Sequence, residues 1–187
     1  MSSQRGTLYL VVGPSGSGKD SLIDGAKAAL VNDDQYVFPR RYITRSAKSG
    51  GENHIPVSSE LFAELLAGNK MILSWPAHGL QYGIPASVED DLAAGRHVVL
   101  NVSRTIVDQA RVELAPVEVI YITVDEDVLT QRLQARGRET MADIKRRVAR
   151  ASQYKITGND VHIVDNGGPL KKSISDFLQA MQFSTLI

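Results

Sequence analysis

Cysteine is absent from all 187 residues, which removes disulfides, thiolate metal sites and cysteine nucleophiles together. An excess of either charge is missing too: Lys and Arg total 21, and Asp and Glu total 21. A chain so balanced has no global pull toward nucleic acid or anionic lipid, so any anion site must come from local clusters. No apolar run approaches the roughly 18 residues of a membrane span, and Met1-Ser2-Ser3-Gln4-Arg5 leads into a strand without a signal-peptide pattern. The expectation is a soluble, cytoplasmic protein with neither nucleic acid nor membrane as a partner. Its oligomeric state is left open. Repeats, linkers and low-complexity tracts are also lacking, so the chain reads as one domain, residues 1–187, built on a single core with an insertion.

What the chain does have is Gly13-Pro14-Ser15-Gly16-Ser17-Gly18-Lys19-Asp20-Ser21, directly after the apolar run Leu8-Tyr9-Leu10-Val11-Val12. A helical stretch from Ser21 to Leu30 follows. Glycines at this spacing let consecutive backbone N–H groups turn inward around a polyphosphate, and the helix start adds its positive dipole end. Lys19 then reaches the outer phosphates as a point charge. An ordinary Gly/Ser-rich strand-to-helix turn is the bland alternative; the strand before, the helix after and the extra glycines argue against it. The motif implies a nucleotide-using protein.

Downstream, short β-type runs alternate with helical ones. Strands are expected at His97–Val102, Val117–Val124 and Val161–Val164. Helices are expected at Ala86–Ala94, Arg104–Leu114, Asp125–Ala135 with Asp125 as N-cap, Thr140–Tyr154, and from Pro169 to about Met181. Nearly continuous Val/Ile/Leu strands separated by helices predict an α/β fold, a parallel sheet flanked by helices on both faces. The stretch 36–83 is basic, Gly-containing and irregular, and is expected to be the insertion.

Arginines fall in two places: Arg40, Arg41 and Arg45 before Gly50-Gly51-Glu52, then Arg132, Arg136, Arg138, Arg146, Arg147 and Arg150. Arg132 and Arg136 are four apart and share a helix face. Only Glu139 and Asp143 accompany the six arginines of the second group. Arginine's planar fork suits phosphate, whereas for solubility alone lysine would do. A solvated charged face is the alternative. The four histidines, His54, His78, His97 and His162, are scattered, with His97 and His162 in strand contexts.

Gly13–Ser21, Arg41-Tyr42-Ile43-Thr44-Arg45 with Gly51-Glu52, Tyr82-Gly83, Arg132-Leu133 with Arg136-Gly137, and Arg147 occur in the order found in guanylate kinases, over nearly the whole length. The chain resembles that family. The resemblance implies a P-loop NTPase fold with a lid near 136–147 and an acceptor-binding insertion, ATP on Gly13, Pro14, Ser15, Gly16, Ser17, Gly18, Lys19, Asp20 and Ser21, and Arg132 and Arg136 beside it. It further implies that Arg41, Arg45 and Arg147 grip the acceptor's phosphate and that Arg136 works in the lid. Transfer of a phosphoryl group is mostly positioning and charge neutralisation, so Lys19, Arg136, Arg138 and Arg147 are the candidate catalytic residues.

Three departures narrow the expectation. Ser74 stands where the family has a Glu reading the guanine edge, Ile84 replaces a base-reading Thr, and Asn101 and Ser103 replace paired aspartates. A site built to hydrogen-bond guanine loses most of its discrimination without those partners. Asp20 occupies the place of the usual Mg²⁺-ligating Ser or Thr and can hold the ion as a hard oxygen donor, with Ser21 as the fallback. Gly18-Lys19-Asp20-Ser21 in this frame resembles the ribose 1,5-bisphosphate phosphokinases of phosphonate breakdown, which make 5-phosphoribosyl 1-diphosphate from ATP. The implied partner is a small phosphorylated sugar. Glu52 is expected to orient a sugar hydroxyl or pair with an arginine, and Tyr82 to shape the insertion or bond a phosphate. Rival expectations are a nucleoside monophosphate kinase with altered base choice, a non-catalytic interaction module, and a regulatory nucleotide switch.

Overall fold

The computed structural model describes residues 4–46, 52–135, 137, 140–153 and 155–183. In chain order its elements are β1 (Leu8–Val12), α1 (Lys19–Ala29), β2 (Tyr36–Val37), β3 (Tyr42–Ile43), β4 (Ile55–Pro56), α2 (Ser59–Ala67), β5 (Met71–Ala77) and β6 (Leu80–Pro85). Then follow α3 (Val88–Ala93), β7 (His97–Asn101), α4 (Val107–Glu113), β8 (Val117–Thr123), α5 (Glu126–Ala135), α6 (Met141–Gln153), β9 (Val161–Asp165) and α7 (Leu170–Phe183).

Every side chain of β1 is fully buried, which requires cover on both faces. Strand alternation supplies the division. Leu8, Leu10 and Val12 pack with Val88 and Leu92 of α3 and with Val107 and Ala110 of α4. Tyr9 and Val11 pack with Leu22 and Ala26 of α1 and with Phe177 and Ala180 of α7. Each such aliphatic side chain contributes about 1.5–3 kcal/mol on burial, so this strand anchors the molecule. The Tyr9 hydroxyl also donates to the Met181 carbonyl at 2.5 Å, tying α7 to the sheet.

The main sheet is parallel, in the order β2-β7-β1-β8-β9. Because β1 lies between two strands that come later in the chain, a crevice opens at its carboxyl end, where ligands bind in open α/β sheets. The expected α/β architecture is therefore present, with small shifts at the ends. Arg104–Leu114 divides into a 3₁₀ turn at Arg104–Ile106 and α4, and the last helix runs on to Phe183.

The stretch 36–83 is not irregular. Its first residues, Tyr36 and Val37, belong to the main sheet through β7. Among the described residues of the remainder lies a second sheet, β4-β3-β6-β5, with α2 between β4 and β5 in the chain; its N-cap Ser58 accepts from the Leu61 N–H at 3.1 Å. Strands β5 and β6 form a hairpin with a two-residue turn, His78 (φ 52) and Gly79 (φ 74). Positive φ at both central residues matches the right-handed twist of paired strands, which is why such turns favour this conformation. Ile43, Leu73, Trp75, Tyr82 and Ile84 of this sheet join the same apolar cluster as Leu8 and Leu10, so the insertion shares the core of the main sheet.

His97, the first residue of β7, is a buried polar group. Its Nδ1 accepts from the Thr7 N–H at 3.0 Å, and its ring lies against Tyr9 and Tyr36. Burial pushes the imidazole below its ordinary value, against a smaller opposing pull from Asp33. The folded state thus favours the neutral ring, and its contribution to stability is complete above an unfolded-state pKa of about 6.5 and is lost as pH falls from there toward the lower folded value. Denaturation midpoints measured across that window should fall more steeply for the wild type than for His97→Asn, whose amide oxygen can still accept from Thr7. Parallel slopes would show that His97 titrates alike in both states.

Candidate active site

The phosphate loop is built by glycines in conformations closed to other residues. Gly13, Gly16 and Gly18 have φ of 152, 95 and 87°. A Cβ at Gly13 would stand 2.5 Å from the Ile122 carbonyl oxygen, and one at Gly18 would stand 2.3 Å from Asn166 Nδ2. Gly18 caps α1 without a side chain, so the helix start is presented bare. The Ser17 carbonyl takes hydrogen bonds from Asn166 Nδ2 (2.7 Å) and Arg132 Nη1 (3.4 Å), while Arg132 Nη2 donates to the Asn166 carbonyl (2.7 Å). Asn166 is 2% exposed and acts as a clasp on the loop. Ser17 Oγ and Asn166 Oδ1 remain buried without hydrogen-bond partners among the described residues.

One cavity of about 830 Å³ joins this loop to the second sheet. Gly13, Pro14, Ser15, Gly16, Gly18, Lys19, Asp20 and Ser21 line one side, and Arg41, Glu52, Trp75, His78 and Tyr82 also line it. Ser17 is fully buried behind the lining and shapes the loop through its carbonyl. Five cationic side chains (Lys19, Arg41, Arg104, Arg146, Arg147) and three acidic ones (Asp20, Glu52, Asp143) face the space. A chain of zero net charge therefore carries a locally positive hollow. Lys19 Nζ donates to the Gly13 and Pro14 carbonyls at 2.8 and 3.0 Å, holding its charge over the loop.

The acceptor-side residues are arranged differently from the expectation. Arg41 was expected on a phosphate; it is paired with both oxygens of Glu52, donates from Nη1 to the Asn101 carbonyl at 2.6 Å, and sits over the rings of Trp75 and Tyr82. Those rings stack with centroids 5.5 Å apart, as directly opposed residues of β5 and β6. Glu52 is thus an arginine partner. Arg45 does not line the cavity, and its Nε and Nη2 are buried without hydrogen-bond partners among the described residues. Arg147, on α6, donates from Nη1 to Ser15 Oγ at 3.2 Å in the phosphate loop itself. Arg136 and Arg138 lie outside the described residues. Helices α5 and α6 share a small cluster of their own, Leu129 and Leu133 against Ile144 and Val148.

Neither position expected to read a base faces the hollow. Ile84 is fully buried in the core, and Ser74 is absent from the lining. Arg104 lines the cavity without having been singled out in the sequence, while Asn101 and Arg146 were singled out there but given no individual role in the site. Asn101 and Arg104 stand at the carboxyl end of a buried strand, a placement that could have flagged them.

A profile of the guanylate kinase family matches residues 5–182. The chain belongs to the guanylate kinase family. It is 44% identical over 178 residues to the ribose 1,5-bisphosphate phosphokinase PhnN of Pseudomonas fluorescens, covering 92% of this chain and 93% of that one. It is also 44% identical over 179 residues to a bifunctional ribose 1,5-bisphosphokinase-thymidine phosphorylase of Cupriavidus pinatubonensis, covering 96% of this chain but only 30% of that relative's length. In fold it matches a guanylate kinase from Anaplasma phagocytophilum with a TM-score of 0.69 at 17% identity, covering 100% of this chain and 90% of the other. Among the described residues no helix is long and apolar enough to cross a membrane. No cluster of three or more His, Cys, Asp or Glu able to hold a metal occurs among them either. A lone exposed carboxylate, Asp20, fits Mg²⁺ nonetheless, because that ion is held largely by phosphates and water with one or two carboxylates.

The glycine geometry is directly testable. Gly18→Ala and Gly79→Ala both force a side chain into the left-handed region, at about 1–2 kcal/mol each. Only the first also meets an atom, an Asn166 amide already committed to Ser17. Gly18→Ala should lower the denaturation midpoint clearly more than Gly79→Ala. Equal losses would mean that the Asn166 clasp gives way freely.

Proposed function

We propose that the protein is an ATP-dependent kinase that phosphorylates ribose 1,5-bisphosphate to 5-phosphoribosyl 1-diphosphate. The observation that carries this is the single cavity in which an intact phosphate loop shares space with Arg41, Trp75 and Tyr82 while Ser74 and Ile84 stay out of it. A pocket that keeps cations and offers no base-reading group suits a phosphorylated sugar. The PhnN relative named for this reaction matches nearly end to end, which supports the same reading.

Bound ATP would supply the γ-phosphoryl group to the acceptor's 1-phosphate, with Mg²⁺ sharing the charge. The residues then divide by role. Backbone amides of 13–19 and the bare start of α1 cradle the donor phosphates, and Lys19 stands over the outer ones. Asp20 is the proposed Mg²⁺ ligand. Arg132 and Asn166 hold the loop's shape from behind. Arg147, already at Ser15, moves charge onto the loop from the lid, with Arg136 and Arg138 as its proposed companions. Buried guanidinium N–H groups without partners, as at Arg45, favour a strong acceptor such as phosphate, and Arg45 and Arg41 are assigned to the acceptor side. Glu52 tempers Arg41, and Tyr82 with Trp75 forms the aromatic floor below it. A phosphate monoester is already ionised near neutral pH, so no general base is required; His78 is the one histidine lining the cavity.

The decisive experiment is ADP release with ribose 1,5-bisphosphate, GMP, AMP and dTMP as acceptors, with the product identified by phosphorus NMR. Turnover should be confined to the sugar bisphosphate, and comparable turnover with any nucleotide would overturn the substrate. Lys19→Ala and Arg147→Ala should each lower kcat on the order of 10²–10³-fold, as expected for a donor aimed at developing charge. Wild-type rates in both variants would remove their roles.

A further inference from the structure

Asp20 is exposed in the first turn of α1, where an unheld aspartate would exchange among rotamers. It is held: Asn101 Nδ2 donates to Asp20 Oδ1 at 2.7 Å. Asn101 reaches it from the end of β7, and its backbone is fixed by parallel pairing with Val11. Its own carbonyl accepts from Arg41, which both oxygens of Glu52 hold in turn. These four side chains form a continuous polar wall. All of them line the large cavity and also a second one of about 300 Å³.

We propose that Asn101 is a positioning residue for the divalent cation: it engages Oδ1 of Asp20 and leaves Oδ2 as the metal-binding oxygen. Among the described residues Oδ2 takes no other hydrogen bond. The residue type matters. A second carboxylate at this distance would repel Asp20, whereas a neutral amide donates to Oδ1 without competing for the ion. Arg41 and Glu52 act one step further out by fixing the backbone that carries Asn101. The inference rests on Asp20 as the Mg²⁺ ligand in the proposed function.

Calorimetric titration of the full chain with a non-hydrolysable ATP analogue, with Mg²⁺ and with EDTA, gives the preference for the metal-loaded form. Asp20→Ala should abolish the preference. Asn101→Ala, which keeps the carbonyl used by Arg41, should reduce it about tenfold, the lower end for loss of a partner behind a metal ligand. Its affinity for the metal-free analogue and its denaturation midpoint should remain at wild-type values. On the Asp20→Ala background Asn101→Ala should change nothing further, and Glu52→Gln should produce a smaller loss of the same preference. Equal weakening of both forms by Asn101→Ala, or an undiminished effect on the Asp20→Ala background, would overturn the proposal. A preference retained in Asp20→Ala would overturn it too, through the metal ligand, while the acceptor panel tests the substrate independently.

Discussion

The Ser17 carbonyl, clasped by Asn166 and Arg132 from two distant parts of the chain, is the contact on which the site's geometry depends. A glycine-rich loop has the freedom to wrap a phosphate and, for the same reason, a large entropy to lose on doing so. The clasp holds that loop from outside it, joining the end of β9 to α5 through the Ser17 carbonyl. Gly18 is the residue that makes room for it, because a side chain there would occupy the space of the Asn166 amide.

A second constraint runs along the opposite wall. Arg41 spends its charge on Glu52 and on the Asn101 carbonyl and spreads over the Trp75–Tyr82 stack. A partly buried guanidinium without partners would be costly, and pairing it internally lets the hollow keep cationic character without collapsing around a naked charge. The same arrangement closes the aromatic faces that a flat base would otherwise stack on. A flat base is thus disfavoured on two counts: Ser74 and Ile84 are missing from the lining, and Arg41 lies over the rings that remain.

Helices α5 and α6 share a separate apolar cluster of four buried side chains, small beside the two clusters that flank the sheet. Through Arg147, α6 touches the phosphate loop directly.

Much of this was legible in the order of residues. The loop 13–21 follows from glycine spacing between a strand and a helix, and the parallel sheet follows from continuous apolar runs such as Leu8–Val12 and Val98–Leu100, whose composition points to two-sided burial. Those are local signals. The second sheet was missed because two of its strands are two residues long and Pro76, a residue that argues against a strand, lies inside β5, so its pairing is set by distant partners rather than by a run of its own. The same holds for the site. The spacing of arginines marks them as phosphate ligands in general, but their assignment to walls depends on which neighbours reach them: Glu52 captures Arg41, Ser15 receives Arg147, and Asn101 meets Asp20 from 81 positions away. Sequence determined the chemistry available; the tertiary packing decided which charges are neutralised and which are left to meet a ligand, because hydrogen-bond partnership is a matter of distances that only the folded chain sets.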